Sequence, residues 1–163
     1  MKKIIISLVT FLLSSAVFAQ SADVITEILD SSKVSYGQVC YLSAVSQGFI
    51  SEDASYDDAI NSLYDAGQIS DKYAETDEVS MSNLAQIFAK SWNVKGGIMY
   101  KITKGSARYA FKQLKTDGVI SSTSDPSKKV SGFECLSVFT NCSFKYGNEI
   151  LTAGDVVESQ DLQ

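Results

Sequence analysis

Residues 55–70 read SYDDAINSLYDAGQIS, and about 51 residues later 106–121 read SARYAFKQLKTDGVIS. In this register Ser55 falls on Ser106, Ala59 on Ala110, Leu63 on Leu114, Gly67 on Gly118 and Ile69 on Ile120. The match runs on through Val79-Ser80 over Val130-Ser131 to Phe88 over Phe139. A partial third copy lies upstream, where Val34-Ser35 takes the place of the two later Val-Ser pairs. A repeat of this length is one supersecondary unit that cannot bury its apolar face alone, so the copies are expected to pack on one another.

Each copy carries helix punctuation. Ser55 is placed to cap a helix, with Asp58 at the third position, where a carboxylate also meets the positive end of the helix dipole. Tyr56, Ala59, Ile60, Leu63 and Gly67 then form one amphipathic stripe, and Ala107, Ala110, Phe111, Leu114 and Gly118 repeat it. Gly67 can take the left-handed conformation that ends the helix, letting Ile69 fold back on the last turn. Ser35 with Gln38 and Ser131 with Glu134 are capping boxes, and Ser80 opens a helix bearing Leu84, Ile87, Phe88 and Trp92. Val39 to Val45 are apolar nearly all round, the mark of a central helix. Asp125-Pro126 predicts a turn.

Outside the repeats, residues 22–30 place Val24, Ile25, Ile28 and Leu29 at helical spacing. Ile98, Tyr100 and Ile102 alternate after Gly96-Gly97 and predict a short extended piece; Phe144 to Thr152 predicts a small hairpin. Lys2-Lys3, the apolar run Ile4–Leu13 and the small-residue site Val17-Phe18-Ala19 read as a cleaved secretory signal, too short for a membrane span of about 20 residues. The expected fold is therefore all-α, a small bundle of tandem helix-loop-helix repeats over residues 20–142. A signal peptide at 1–19 precedes it and a polar tail at 143–163 follows.

Loss of the leader takes away two lysines and no acid, moving the net charge from −5 to −7. Such a balance disfavours nucleic acid as a partner. The charges are also segregated. Glu52 to Glu78 holds nine acids against Lys72, whereas Lys90, Lys95, Lys101, Lys104, Arg108, Lys112 and Lys115 run without an acid until Asp117. Arg108, Lys112 and Lys115 replace Asp57, Asn61 and Tyr64 of the earlier copy at i, i+4 and i+7, so the repeats share a core pattern while their outer faces differ in sign.

No histidine occurs, which removes the commonest general base and the commonest transition-metal ligand together. No phosphate-binding glycine loop or Ser-x-x-Lys frame is present. Asp53, Ser55 and Asp57 alternate like calcium ligands, but Tyr64 stands where the closing glutamate belongs. Cys135 and Cys142 lie seven residues apart on one expected helix, about 10 Å, beyond disulfide reach. The three thiols are expected to be buried and free, or Cys40 to bridge Cys135 or Cys142.

The pattern resembles S-layer homology repeats, helical modules of bacterial envelope proteins that recur in threes. A family repeat has an amphipathic helix closing on a glycine-isoleucine turn, a loop, and a second helix opened by a threonine-arginine-alanine-glutamate signature. Ala59 to Ile69 and Ala110 to Ile120 resemble the first part. Ser35-Tyr36-Gly37-Gln38, Ser80-Met81-Ser82-Asn83 and Ser131-Gly132-Phe133-Glu134 fall where the signature would be. The resemblance implies a tandem helical fold. The signature arginine, which in the family contacts anionic wall polysaccharide, is here Tyr36, Met81 and Gly132, none of which can make a bidentate charged pair with an acidic sugar.

The function expected from these features is an exported, non-catalytic structural or interaction module of the cell envelope, periplasmic or secreted. It would need no cofactor and no metal, and would dock an envelope protein or an anionic envelope component. Its expected contact residues are Lys95, Lys101, Lys104, Arg108 and Lys112, with Trp92 and Tyr100 as apolar anchors. A periplasmic ligand- or glycan-binding protein is the alternative.

Overall fold

The computed structural model describes residues 22–158, with side chains to Gly147, so the signal-peptide reading of residues 1–19 lies outside the described residues. The chain is all-α. Helix α1 spans residues 22–30, followed by α2 (Tyr36–Ser46), α3 (Tyr56–Asp65), α4 (Met81–Ser91), α5 (Ile98–Ile102), α6 (Ala107–Thr116) and α7 (Gly132–Glu158).

The repeats become structural at the three Val-Ser pairs. Ser35 and Ser80 are extended (φ −86° and −84°), and their hydroxyls accept from the amides of Gln38 and Asn83, as that of Ser131 does from Glu134. An extended residue before a cap leaves the preceding amide and carbonyl outside the helical ladder. The three valines pair these groups with each other in a closed ring. Val34 N–H donates to the Val130 carbonyl at 2.8 Å, Val130 N–H to Val79 at 3.2 Å, and Val79 N–H to Val34 at 3.1 Å. All three valine side chains are buried.

A second tier of bonds surrounds the ring. The first amide of each inner helix donates to the loop of another repeat: Tyr36 to the Asp77 carbonyl at 2.7 Å, Met81 to Lys128 at 2.9 Å and Gly132 to Ser31 at 2.8 Å. The inner helices α2, α4 and α7 thus start from one quasi-threefold centre. The outer helices pack against them, α3 on α2 and α6 on α4. Ala59 and Leu63 on α3, and Ala110 and Leu114 on α6, are fully buried at matching positions. Burying one such leucine contributes roughly 1.5–3 kcal/mol, which these short helices need because alone they are marginal in water.

The end signals act as read. Gly67 and Gly118 have φ +68° and +77°, and the amides of Ile69 and Ile120 return to the carbonyls of Leu63 and Leu114. Both capping boxes anticipated around Ser35 and Ser131 are formed, as is that of Ser55 with Asp58.

Two local expectations are corrected. Residues 98–102 form helix α5 and not an extended piece: the alternation of Ile98 and Ile102 is also an i, i+4 pair, and Tyr100 folds back over Gly96, where a Cβ would lie 2.4 Å from its ring. Residues 144–152 continue α7 and form no hairpin, so the polar tail is not a separate unit from residue 143. Cys135, Val138, Cys142 and Tyr146 make one buried stripe across that boundary, and the Tyr146 hydroxyl donates to Asp117 at 2.6 Å.

Gly132 marks where the ring is tightest, since a Cβ there would sit 1.7 Å from the Ile28 carbonyl oxygen. Gly132→Ala is expected to cost about 3 kcal/mol and to lower Tm by about 10 °C, whereas Gly97→Ala, in open space, leaves Tm within about 2 °C in calorimetry. The Glu134 cap adds a pH dependence. A hydrogen bond from Lys128, with the Ser131 backbone and hydroxyl bonds, holds its carboxyl below the usual glutamate range. Its contribution is present above that range and is lost as pH falls through the lowered value. In acid titrations followed by circular dichroism, Glu134→Gln should flatten this limb and cost well under about 1 kcal/mol at neutral pH, because the pair is partly exposed.

Candidate interaction site: a basic groove on α6

After Lys104 and Gly105, both left-handed (φ +52° and +67°), Ser106 leads into α6, which turns Arg108, Lys112 and Lys115 outward while Ala110, Phe111 and Leu114 face the core. Arg108 and Lys112 are exposed and Lys115 is half-buried. The three cations rim a groove of about 860 Å³ whose floor is formed by Ala107, Phe111 and Pro126, with Ser82 at the start of α4 closing one side.

Substitution between repeats opens this groove. Gly37, Tyr56 and Glu75 are the positional equivalents of Ser82, Ala107 and Pro126. In the earlier repeat these three are tightly packed, for a Cβ on Gly37 would lie 2.8 Å from that of Tyr56 and 3.1 Å from that of Glu75. The Tyr56 ring also packs edge-on against Tyr41 at 5.8 Å, and its hydroxyl donates to Glu27 at 3.1 Å. Ala107 has no ring to place there, so the space stays open beside Phe111.

Two of the three rim cations have aromatic neighbours. Lys115 Nζ lies 5.3 Å from the centre of the Phe111 ring and Lys112 Nζ 5.5 Å from that of Tyr109. Lys115 also approaches the Ser124 carbonyl at 3.4 Å. The ion pairs among the described residues are Lys33–Glu78 and Lys128–Glu134, so none of the three groove cations is neutralised by a described carboxylate. Positive charge therefore stands at the edge of an apolar floor, where an incoming carboxylate would meet it.

The expected contact residues divide into three sets. Arg108 and Lys112 line the groove together, joined by Lys115, Phe111 and Pro126, which the expected contact set lacks. Lys115 was legible from the i, i+7 spacing, whereas Phe111 reads as a core residue and Pro126 as a turn residue until the turn is seen beside α6. Lys95, Lys101 and Lys104 are exposed around α5 and do not line this groove. Trp92 caps α4 and stacks edge-on with Phe88 at 5.6 Å and Phe139 at 5.0 Å, which ties it to the core. Tyr100 lies within α5, its phenol shifted upward by burial, and with Ile98 and Met99 it lines a smaller depression of about 310 Å³ that meets the groove at Lys112.

Among the described residues no cluster of three or more cysteines, aspartates or glutamates is placed to hold a metal, and no helix is long and apolar enough to cross a membrane. Cys40, Cys135 and Cys142 are all buried and free, with burial pushing each thiol up to about 12. No protein-family model, curated protein or solved structure matches the chain.

Thiols raised so far and shielded by packing are inert to alkylation. Iodoacetamide at mildly alkaline pH should leave the native protein unlabelled and modify all 3 cysteines once it is unfolded without reductant; mass spectrometry showing one modified thiol would instead reveal a Cys40 bridge.

Proposed function

We propose that this protein is an exported, non-catalytic interaction module of the cell envelope that docks an acidic protein partner in the α6 groove. The observation that carries the reading is the trio Arg108, Lys112 and Lys115, paired with no described carboxylate and set around an apolar floor, on a chain whose net charge is −5. Exposed ion pairs contribute roughly 0.2–1 kcal/mol each, so three of them steer and orient a partner more than they hold it. Micromolar affinity requires about 8 kcal/mol, and the remainder must come from an apolar side chain seated on Phe111 and Pro126.

The quasi-threefold arrangement of helix pairs supports reading the chain as a degenerate relative of S-layer homology repeats, which likewise recur in threes. On that reading the family's polysaccharide contact is absent. Tyr36 and Met81 are buried, and at Gly132 any side chain meets the Ile28 carbonyl. The leader at residues 1–19 supports export, and the lack of histidine supports a role without catalysis.

A small acidic ligand or glycan is the alternative occupant, favoured by the groove's volume, which falls in the range of small-molecule sites. The two readings separate by experiment. Immobilised wild-type protein should retain an acidic protein from envelope extract at low salt and release it at high salt. An Arg108→Glu, Lys112→Glu variant of unchanged helicity should retain about tenfold less. Retention indifferent to both salt and charge reversal would sink the reading, and saturable binding of an acidic oligosaccharide alone would move it to the alternative.

A further inference from the structure

We propose that α5 is a membrane-surface anchor, which places Ile98, Met99 and Ile102 at the headgroup boundary of an anionic bilayer while Lys95, Lys101 and Lys104 contact its phosphates. This surface adjoins the groove, meeting it at Lys112 through the depression that Ile98 and Met99 line, but none of its residues lines the groove itself, and the anchor does not depend on the partner docked there.

The first observation is exposure. Ile98 is 77 %, Ile102 68 % and Met99 49 % exposed, and no residue of α5 is buried. A core element of five residues does not leave three large apolar side chains in water, and a contiguous apolar knob of this kind marks a contact surface. Only Tyr100, on the opposite side of the turn, packs against the body of the protein.

The second observation is that the repeat does not need this element. The link from α2 to α3 covers residues 47–55, while the corresponding link from α4 to α6 covers residues 92–106 and contains α5 as an insertion. The pair α2–α3 packs without any counterpart of α5. The insertion is therefore a surface device carried by the scaffold.

Charge and shape identify the occupant. Lys95, Lys101 and Lys104 lie within ten residues of one another around the apolar turn, all exposed, and no acid occurs between Lys90 and Asp117. An apolar tip ringed by lysines matches the chemistry of an anionic lipid surface, where long lysine stems lie along apolar surface while their ammonium groups stay in water. Ile98 and Met99 also edge the open depression beside α6, whereas Ile102 stands clear of it. A bilayer accepts exposed apolar side chains without a shaped pocket, whereas a protein partner would have to supply one. Five helical residues span about 7.5 Å, which suits the shallow insertion of an interfacial element.

The test uses the chain from Gln20 onward, which keeps every described helix and omits the apolar run Ile4–Leu13, which would bind lipid by itself. Sedimentation with vesicles of phosphatidylcholine alone and of phosphatidylcholine with phosphatidylglycerol should show binding to the anionic vesicles only, weakening with salt. Ile98→Ser with Ile102→Ser leaves the charge unchanged and should weaken that binding about tenfold. Lys95→Gln, Lys101→Gln and Lys104→Gln together should weaken it about a hundredfold, at about fivefold per lysine. The near-ultraviolet signal of core-packed Trp92 reports that each variant is folded. Equal binding to neutral and anionic vesicles, no binding to either, or a serine variant that binds as the wild type overturns the anchor. Retention of an acidic protein by that serine variant shows that the groove acts independently, so the two readings fail separately.

Discussion

Three backbone hydrogen bonds, closing a ring among Val34, Val79 and Val130, are the constraint on which the rest of the molecule depends. Each valine lies just before a serine cap, where no helix satisfies its amide or carbonyl. Left unpaired in a buried centre, each such group costs roughly 1–3 kcal/mol, so the set is comparable to the whole stability of a small domain. One repeat cannot solve this alone. Each valine accepts from one neighbouring repeat and donates to the other, which binds residues far apart in the chain into one unit and gives the three inner helices a common origin.

A ring of this kind asks little of side chains beyond small bulk and β-branching at the valines and an oxygen at the caps. The outer helices are held by Ala59 and Leu63, or by Ala110 and Leu114, on one stripe only. Their solvent faces are then free to diverge, and they do: Asp57 and Asn61 on α3 stand where α6 has Arg108 and Lys112. The same scaffold thus presents an acidic face and a basic one. The exchange of Tyr56 for Ala107 changes relief as well as charge, because the first fills against Gly37 what the second leaves as a groove. Quasi-symmetry in the centre and asymmetry outside are consistent because the two are built from different positions of one helix.

The third repeat pays for closure at Gly132. The ring brings the first turn of α7 against the end of α1 closely enough that only a hydrogen fits beside the Ile28 carbonyl. The corresponding residues Tyr36 and Met81 keep their side chains buried at the other two joints. α7 then continues past the repeat, and Tyr146 and Asn141 fasten it to the turn after α6 through Asp117 and the Val119 carbonyl. The joint follows directly on α6, whose last cation, Lys115, stands two residues before Asp117.

Much of the fold was legible in the sequence because caps, stripes and left-handed glycines act over three or four residues, within the reach of local physics. Ser35 with Gln38, Ser55 with Asp58 and Gly118 before Ile120 each declare a helix end without reference to anything distant. The charges at 108, 112 and 115 were legible for the same reason, since spacing alone puts them on one face of α6. The tertiary structure decided what local chemistry leaves open. Ile98 and Ile102 satisfy the strand period and the helix period equally, and the packing of Tyr100 over Gly96 chose between them. Trp92 reads as an apolar anchor for a partner until Phe139, 47 residues further on, meets its ring. The groove belongs to the same class, for it lies between α6, the start of α4 and a turn, and no single segment contains it. A sequence specifies the ends and faces of its helices through contacts that its own neighbours supply, while grooves and rings are made by the meeting of distant segments and exist only when the chain has closed.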